Sequence, residues 1–193
     1  SNKISNEVSA DYGYDLLNFS ALSRYTGTDK LENSRRISYG IDAKKDNFKL
    51  ELGQSYEFNP SKNAFTRNVG LKDYMSDLLG STSYDGKYND ISYNFRLNVD
   101  QGLLQSQSLS YTNQNKLGKT TLSYSQTRKS VNSILESDSE VVNITFGSYT
   151  FLNSSLNFTT QIDLMDDRQV FYKIGYKYID ECFGIDINFD RDF

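Results

Sequence analysis

The chain has 193 residues, a formal net charge of -4 and a pI of about 4.9, without the basic patch that nucleic-acid binding requires. It has no His and one Cys, which excludes His-based catalysis, a Cys/His zinc site or an internal disulfide made by this chain alone. Mean hydropathy is only -0.63, yet 15 Tyr and 12 Phe are too many for a disordered chain, so strands with one apolar face are favoured.

Residues 1–33 carry no regular pattern and are interpreted as a loop. From residue 34 onward, apolar and polar residues alternate with the period of two that is typical of half-buried strands. In the first strand, for example, Ile37, Tyr39 and Ile41 alternate with polar or small residues. The pattern predicts about ten strands, at 34–43, 48–58, 77–86, 91–99, 104–113, 119–128, 139–148, 152–162, 170–178 and 183–192.

These strands have about the nine to eleven residues that span a bilayer when a strand is tilted. The connections hold turn residues, such as Asp100-Gln101-Gly102, and none is a helical crossover. We therefore predict an all-β, antiparallel up-and-down meander that belongs to a transmembrane outer-membrane β-barrel. The alternation also predicts that Tyr93, Phe95, Phe158, Tyr172, Tyr176 and Ile187 share the convex face.

Loop lengths predict the direction of the strands. Residues 59–75 and 129–138 make long connections, whereas 44–47, 86–90 and 114–118 are short. Outer-membrane barrels have long outside loops and short periplasmic turns. On that rule the segment 1–33 is an extracellular loop and the strand at 183–192 runs outward. Since a barrel's last strand should run inward, we interpret Phe193 as lying short of the natural terminus.

One strand face is polar, and two interpretations of it stay open. It is either a water-filled lumen that passes a sugar-rich headgroup or the solvated face of a soluble sheet. The candidate lumen residues are Lys49, Glu51, Asn94, Arg96, Asn157, Gln161, Lys173 and Asp186.

No residue pattern indicates an enzyme or a cofactor. Acidic residues such as Asp73, Asp77, Asp166 and Asp167 lack the spacing of a calcium loop and are interpreted as solvated charge. No carboxylate pair is fixed at a separation suited to glycoside hydrolysis. We expect no catalytic, cofactor or metal site.

Three stretches stand out, in order along nearly the whole chain. The first covers residues 6–41 and includes Ser-Arg-Tyr-Thr-Gly-Thr-Asp-Lys-Leu-Glu at 23–32. The second is Gly-Leu-Lys-Asp-Tyr-Met-Ser-Asp-Leu-Leu-Gly at 70–80, and the third runs from Asp180-Glu181-Cys182-Phe183 to Phe193. Together these stretches resemble the LptD family of lipopolysaccharide-assembly proteins. Val8 and Thr28 depart from the family pattern, and Cys182 is one Cys where some relatives have two.

The resemblance implies a function in the Gram-negative outer membrane, where the intact protein receives lipopolysaccharide from a periplasmic Lpt bridge and inserts it into the outer leaflet. It implies lipopolysaccharide, outer-membrane lipid and the plug lipoprotein LptE as partners. It also implies a disulfide from Cys182 to a periplasmic domain; relative to the family, that domain and the last strand are missing here. Two alternatives stay open: a small ten-stranded pore or adhesion barrel, and a secreted glycan-binding β-sandwich.

Overall fold

The structure, a computed structural model, describes residues 35–59, 74–128 and 138–193, together with Leu16, Phe19 and Ser20. The remainder of the expected extracellular loop 1–33 and most of the two long connections lie outside the described residues. The strands are β1 (Arg36–Lys45), β2 (Phe48–Glu57), β3 (Leu78–Asp85), β4 (Asn89–Asn98), β5 (Leu103–Gln114), β6 (Gly118–Thr127), β7 (Ser139–Ser148), β8 (Ser154–Asp163), β9 (Arg168–Ile179) and β10 (Gly184–Asp192).

The ten strands form one sheet in the order of the chain, from β1 to β10. Each strand pairs with its sequence neighbours, so the prediction of an antiparallel up-and-down meander is confirmed. A single sheet in meander order does not fit a β-sandwich, in which two sheets enclose the core. The described part of the chain contains no helix long and apolar enough to cross a membrane.

The described residues fall into two compact units. The first holds 35–59, 74–82, 94–106 and Arg128, with Leu16, Phe19 and Ser20; the second holds 83–93, 107–127 and 138–193. In the first unit, the β1–β2 register places Ile37 opposite Tyr56 and Ile41 opposite Leu52. Because paired residues of antiparallel strands point to the same side, this pairing makes one face of β1–β2 mainly apolar.

In the second unit the apolar face is continuous across four strands. Phe146 of β7 pairs with Phe158 of β8, which pairs with Ile174 of β9, which pairs with Phe189 of β10. One residue along each strand, the opposite face carries the row Gly147, Asn157, Gly175 and Asn188. Of the residues expected to share a face, Phe158, Tyr172, Tyr176 and Ile187 do so by register.

Two local features differ from the expected pattern. Leu152, expected on the apolar face of a strand beginning at 152, lies instead in the β7–β8 turn with φ of 48°. The turn is closed by reciprocal backbone bonds between Phe151 and Ser154, and such a two-residue turn requires positive φ at its centre. In β9, the pairing with β8 shifts at Gln161 and passes over Val170, which interrupts the alternation predicted from Val170 onward.

Candidate functional site

The polar face of β1–β2 contains Lys49 and Glu51, as expected from the sequence. The Lys49 Nζ lies 2.8 Å from Glu51 Oε2, and the two side chains are 42% and 33% exposed, respectively. Glu51 also faces Asp42 across the strand pair, so Lys49 offsets two neighbouring carboxylates. An ion pair this exposed contributes little to folding stability, because water and salt screen it.

Two glycines lie opposite each other on the same face. Gly40 pairs with Gly53, and a side chain at Gly53 would come within 3.1 Å of the Phe19 ring and 3.2 Å of a Leu16 methyl group. The Ser38 hydroxyl donates to the Phe19 carbonyl at 2.9 Å. The missing side chain at Gly53 thus leaves space in which Leu16 and Phe19 pack against an otherwise polar face.

Arg96, another predicted lumen residue, forms an ion pair with Asp77. The Arg96 Nε lies 3.4 Å from Asp77 Oδ2, and the two side chains are only 13% and 5% exposed. The prediction that Asp77 is a solvated loop charge is wrong, since its carboxylate is buried against the Arg96 guanidinium. Asn94 is exposed and lies two residues before Arg96 in β4, so both side chains point to one side of the strand.

In the second unit, the register places the other four predicted residues on one face. Asn157 pairs with Gly175, Gln161 with Phe171, Lys173 with Thr159 and Asp186 with Lys177. Lys173 also faces Asp190, so each of these two lysines of β9 lies opposite an aspartate of β10. This face can offer hydrogen-bond donors, acceptors and both charges to a polar ligand.

A set of hydrogen-bonded polar side chains lies on the apolar face, and it was not predicted from the sequence. The Tyr93 hydroxyl donates to Gln107 Oε1 at 3.0 Å, and Gln107 Nε2 donates to Gln126 Oε1 at 2.7 Å. Beside them, the Tyr124 hydroxyl donates to Glu140 Oε1 at 2.8 Å. The available signal was the position of Gln107 two residues before Leu109, on the side of β5 that also carries Leu103.

Cys182 lies in the β9–β10 turn and is exposed, with a free thiol. Asp180 organises this turn: its Oδ1 accepts hydrogen bonds from the Cys182 amide at 2.9 Å and the Phe183 amide at 2.8 Å. The Tyr178 hydroxyl donates to Asp180 Oδ2 at 3.0 Å. An Asp two residues before an amide donor is a common turn signature, so this role was readable from the sequence.

Charge on Asp180 strengthens these contacts. The hydrogen bonds from the Cys182 amide, the Tyr178 hydroxyl and the Phe183 amide favour the ionised carboxylate and lower the pKa of Asp180 below its ordinary value.

Within the described residues no group of three His, Cys, Asp or Glu side chains could hold a metal ion. Asp166, one of the loop acids, pairs with Arg168 at 3.2 Å.

A meander of bilayer-length strands with one apolar and one polar face is the architecture of an outer-membrane β-barrel. The family model described as "LptD: LPS transport system D" matches residues 1–168. The chain belongs to the LptD family. This family is a component of lipopolysaccharide transport in Gram-negative bacteria and is not a family of enzymes. The matched range ends before Cys182 and β10. No curated protein matches the chain.

Proposed function

We propose that β1–β10 form part of the wall of an outer-membrane barrel that inserts lipopolysaccharide into the outer leaflet. The observation that carries this proposal is that apolar and polar side chains lie on opposite faces of the sheet in the second unit. There the row Phe146, Phe158, Ile174 and Phe189 lies on one face, and the row Gly147, Asn157, Gly175 and Asn188 lies on the other. The first face suits acyl chains and the second suits a hydrated lumen.

The polar face is proposed to contact the saccharide and phosphate groups of the lipid in transit. Lys173 and Lys177 can pair with phosphate, while Asn157 and Gln161 can exchange hydrogen bonds with sugar hydroxyls. Lys49, Glu51, Asn94 and Arg96 are proposed to line the lumen in the first unit. We propose that LptE plugs the intact barrel and that a periplasmic Lpt bridge supplies the lipid.

The turns set the proposed orientation. Successive connections of a meander alternate between the two ends of its sheet, so the turns at 46–47, 86–88, 115–117, 149–153 and 180–183 share an end. The two longest connections join β2 to β3 and β6 to β7, so they begin and finish at the other end of the sheet. We assign the end with short turns to the periplasm.

This orientation gives Cys182 a periplasmic position. The periplasm is oxidising, and an exposed thiol in a turn is accessible to a partner Cys. We propose a disulfide to a Cys of the periplasmic domain, which would hold that domain at the barrel rim. In the full-length protein, Cys182→Ser should shift the mobility on a non-reducing gel and reduce lipopolysaccharide export, whereas Glu181→Ser in the same turn should do neither. Unchanged mobility and export for Cys182→Ser would contradict the disulfide.

Two adjacent residues of β8 test the proposed function. A photoreactive p-benzoylphenylalanine would replace Asn157 on the polar face or Phe158 on the apolar face of the full-length protein in cells. We expect the probe at position 157 to crosslink to lipopolysaccharide only while transport is active. The probe at position 158 should crosslink to membrane lipid whether or not transport proceeds. Transport-dependent adducts at Phe158, or none at Asn157, would contradict the assignment of the faces.

A further inference from the structure

The β7–β8 turn exposes two large apolar side chains at its tip. Phe151 and Leu152 are 75% and 78% exposed, among the highest values of the large apolar residues in the described part of the chain. Leu152 and Asn153 have φ of 48° and 61°. A branched side chain such as Leu is unusual in that region, where Asn or Gly would fit without strain. The most exposed position of the turn is therefore occupied by Leu152, a residue whose backbone conformation is unfavourable there.

Phe151 extends the apolar face of the sheet beyond the end of β8. It bridges to Ser154, and Ser154 pairs with Tyr178 on the face that also carries Leu156, Phe158 and Tyr176. The exposed ring is thus continuous with the surface that we propose to be in contact with lipid. Phe151 therefore lies on the side of the sheet opposite the polar face.

Two tyrosines beside this turn have an amphipathic orientation. The Tyr176 hydroxyl lies 3.0 Å from the Ser154 hydroxyl, and the Tyr178 hydroxyl donates to Asp180 Oδ2 in the next turn. Both rings are half-buried on the apolar face, while their hydroxyls point toward the ends of the strands. Tyrosines with this orientation are enriched at the boundary between hydrocarbon and headgroups, where a ring contacts acyl chains and its hydroxyl stays hydrated.

We propose that the Phe151–Leu152 tip, with Tyr176 and Tyr178, is an anchor in the headgroup region of the inner leaflet, where it contacts phospholipid. This inference rests on the proposed function, because it takes the apolar face as lipid-facing and the short turns as periplasmic. It identifies the partner of one turn as phospholipid and not as a periplasmic protein domain. Lipid is favoured over protein as the partner, because the exposed Phe151 side chain continues the apolar face and the Tyr176 and Tyr178 hydroxyls bond polar groups at the edge of that face.

The test places p-benzoylphenylalanine at Phe151 in the full-length protein in its own membrane and identifies the adducts by mass spectrometry. Glu181, exposed in a turn at the same end, and Phe158, in mid-strand on the same face, are the controls. We expect several-fold more phospholipid adduct at Phe151 than at Glu181, and lipid adducts at Phe158. Leu152 provides a second position for the probe if the first variant fails to assemble.

Adducts to protein at both tip positions, or no lipid adduct at either while Phe158 gives one, would overturn the anchor and leave the proposed function intact. Lipopolysaccharide in place of phospholipid at the tip would overturn the inner-leaflet location and the proposed orientation together. Lipid adducts at Asn157 that do not depend on transport, with none at Phe158, would instead show that the faces are assigned in reverse.

Discussion

The polar faces of β2 and β9 follow the same alternation in sequence but have different surroundings. In β2, the polar-face residues Gly53, Ser55 and Glu57 are buried, whereas Lys173 and Lys177 on the polar face of β9 are exposed. Leu16 and Phe19 pack at Gly53, the Ser76 hydroxyl accepts from the Ser55 amide, and Glu57 accepts from the Arg35 amide. Alternation thus determines which face a side chain joins, and segments distant in sequence determine whether that face contacts protein or water.

The largest expected effect is a difference in folding stability between the loss of a buried ion pair and the loss of an exposed one. Asp77→Ala would leave Arg96 in a buried position without its carboxylate, and we expect a loss of about 3 kcal/mol in the free energy of unfolding. Asp166→Ala removes a pair whose side chains are 55% and 60% exposed, and should cost less than about 1 kcal/mol. Denaturant unfolding of the full-length protein, followed by circular dichroism, measures both. Equal losses would mean that burial does not distinguish the two pairs.

A second comparison uses two glycines. Gly53→Val would force its side chain against Phe19 and Leu16, and overpacking of this kind costs about 1–3 kcal/mol. Gly147→Val on the polar face of β7 is the matched control, because a Cβ there meets nothing within 4 Å, and its effect should stay within about 0.5 kcal/mol. The same unfolding measurement applies. If Gly53→Val were as mild as the control, Leu16 and Phe19 would not be fixed on this face.

The smallest expected effect is the pH dependence of the open β9–β10 turn. The Asp180 pKa is lowered in the folded chain, so its stabilising contribution is complete above the ordinary value of 3.8 and is lost as pH falls through the lowered value. Amide hydrogen exchange of residues 180–183, corrected for the intrinsic rate, should accelerate as pH falls through that range. Asp180→Asn keeps an accepting oxygen without the charge, so its exchange should not show this pH dependence. An identical profile for the variant would assign the effect to another group.

Much of the fold was predictable because strand pairing between sequence neighbours is a local property. The ten strands and their order followed from a period of two and from turn residues such as Gly102, whose φ is 64°. The register of β8–β10 places Asn157, Gln161, Lys173 and Asp186 on one side of the sheet, and their position in a lumen stays a prediction. Leu152 was misassigned because its type indicates a strand, whereas the reciprocal bonds between Phe151 and Ser154 place it in a turn.

By itself, the sequence determined the all-β architecture, the two chemically distinct faces and the turn that holds Cys182, because these depend on residues that are close together in the chain. Only the tertiary structure decided that Asp77 is buried against Arg96, that Leu16 and Phe19 cover Gly53, and that Gln107 bonds Gln126 on the apolar face. These contacts join residues that are 19 or more positions apart in sequence. Periodicity assigns these residues to a face but does not encode which side chains meet, because that depends on the register of neighbouring strands and, for Gly53, on Leu16 and Phe19 from outside the sheet.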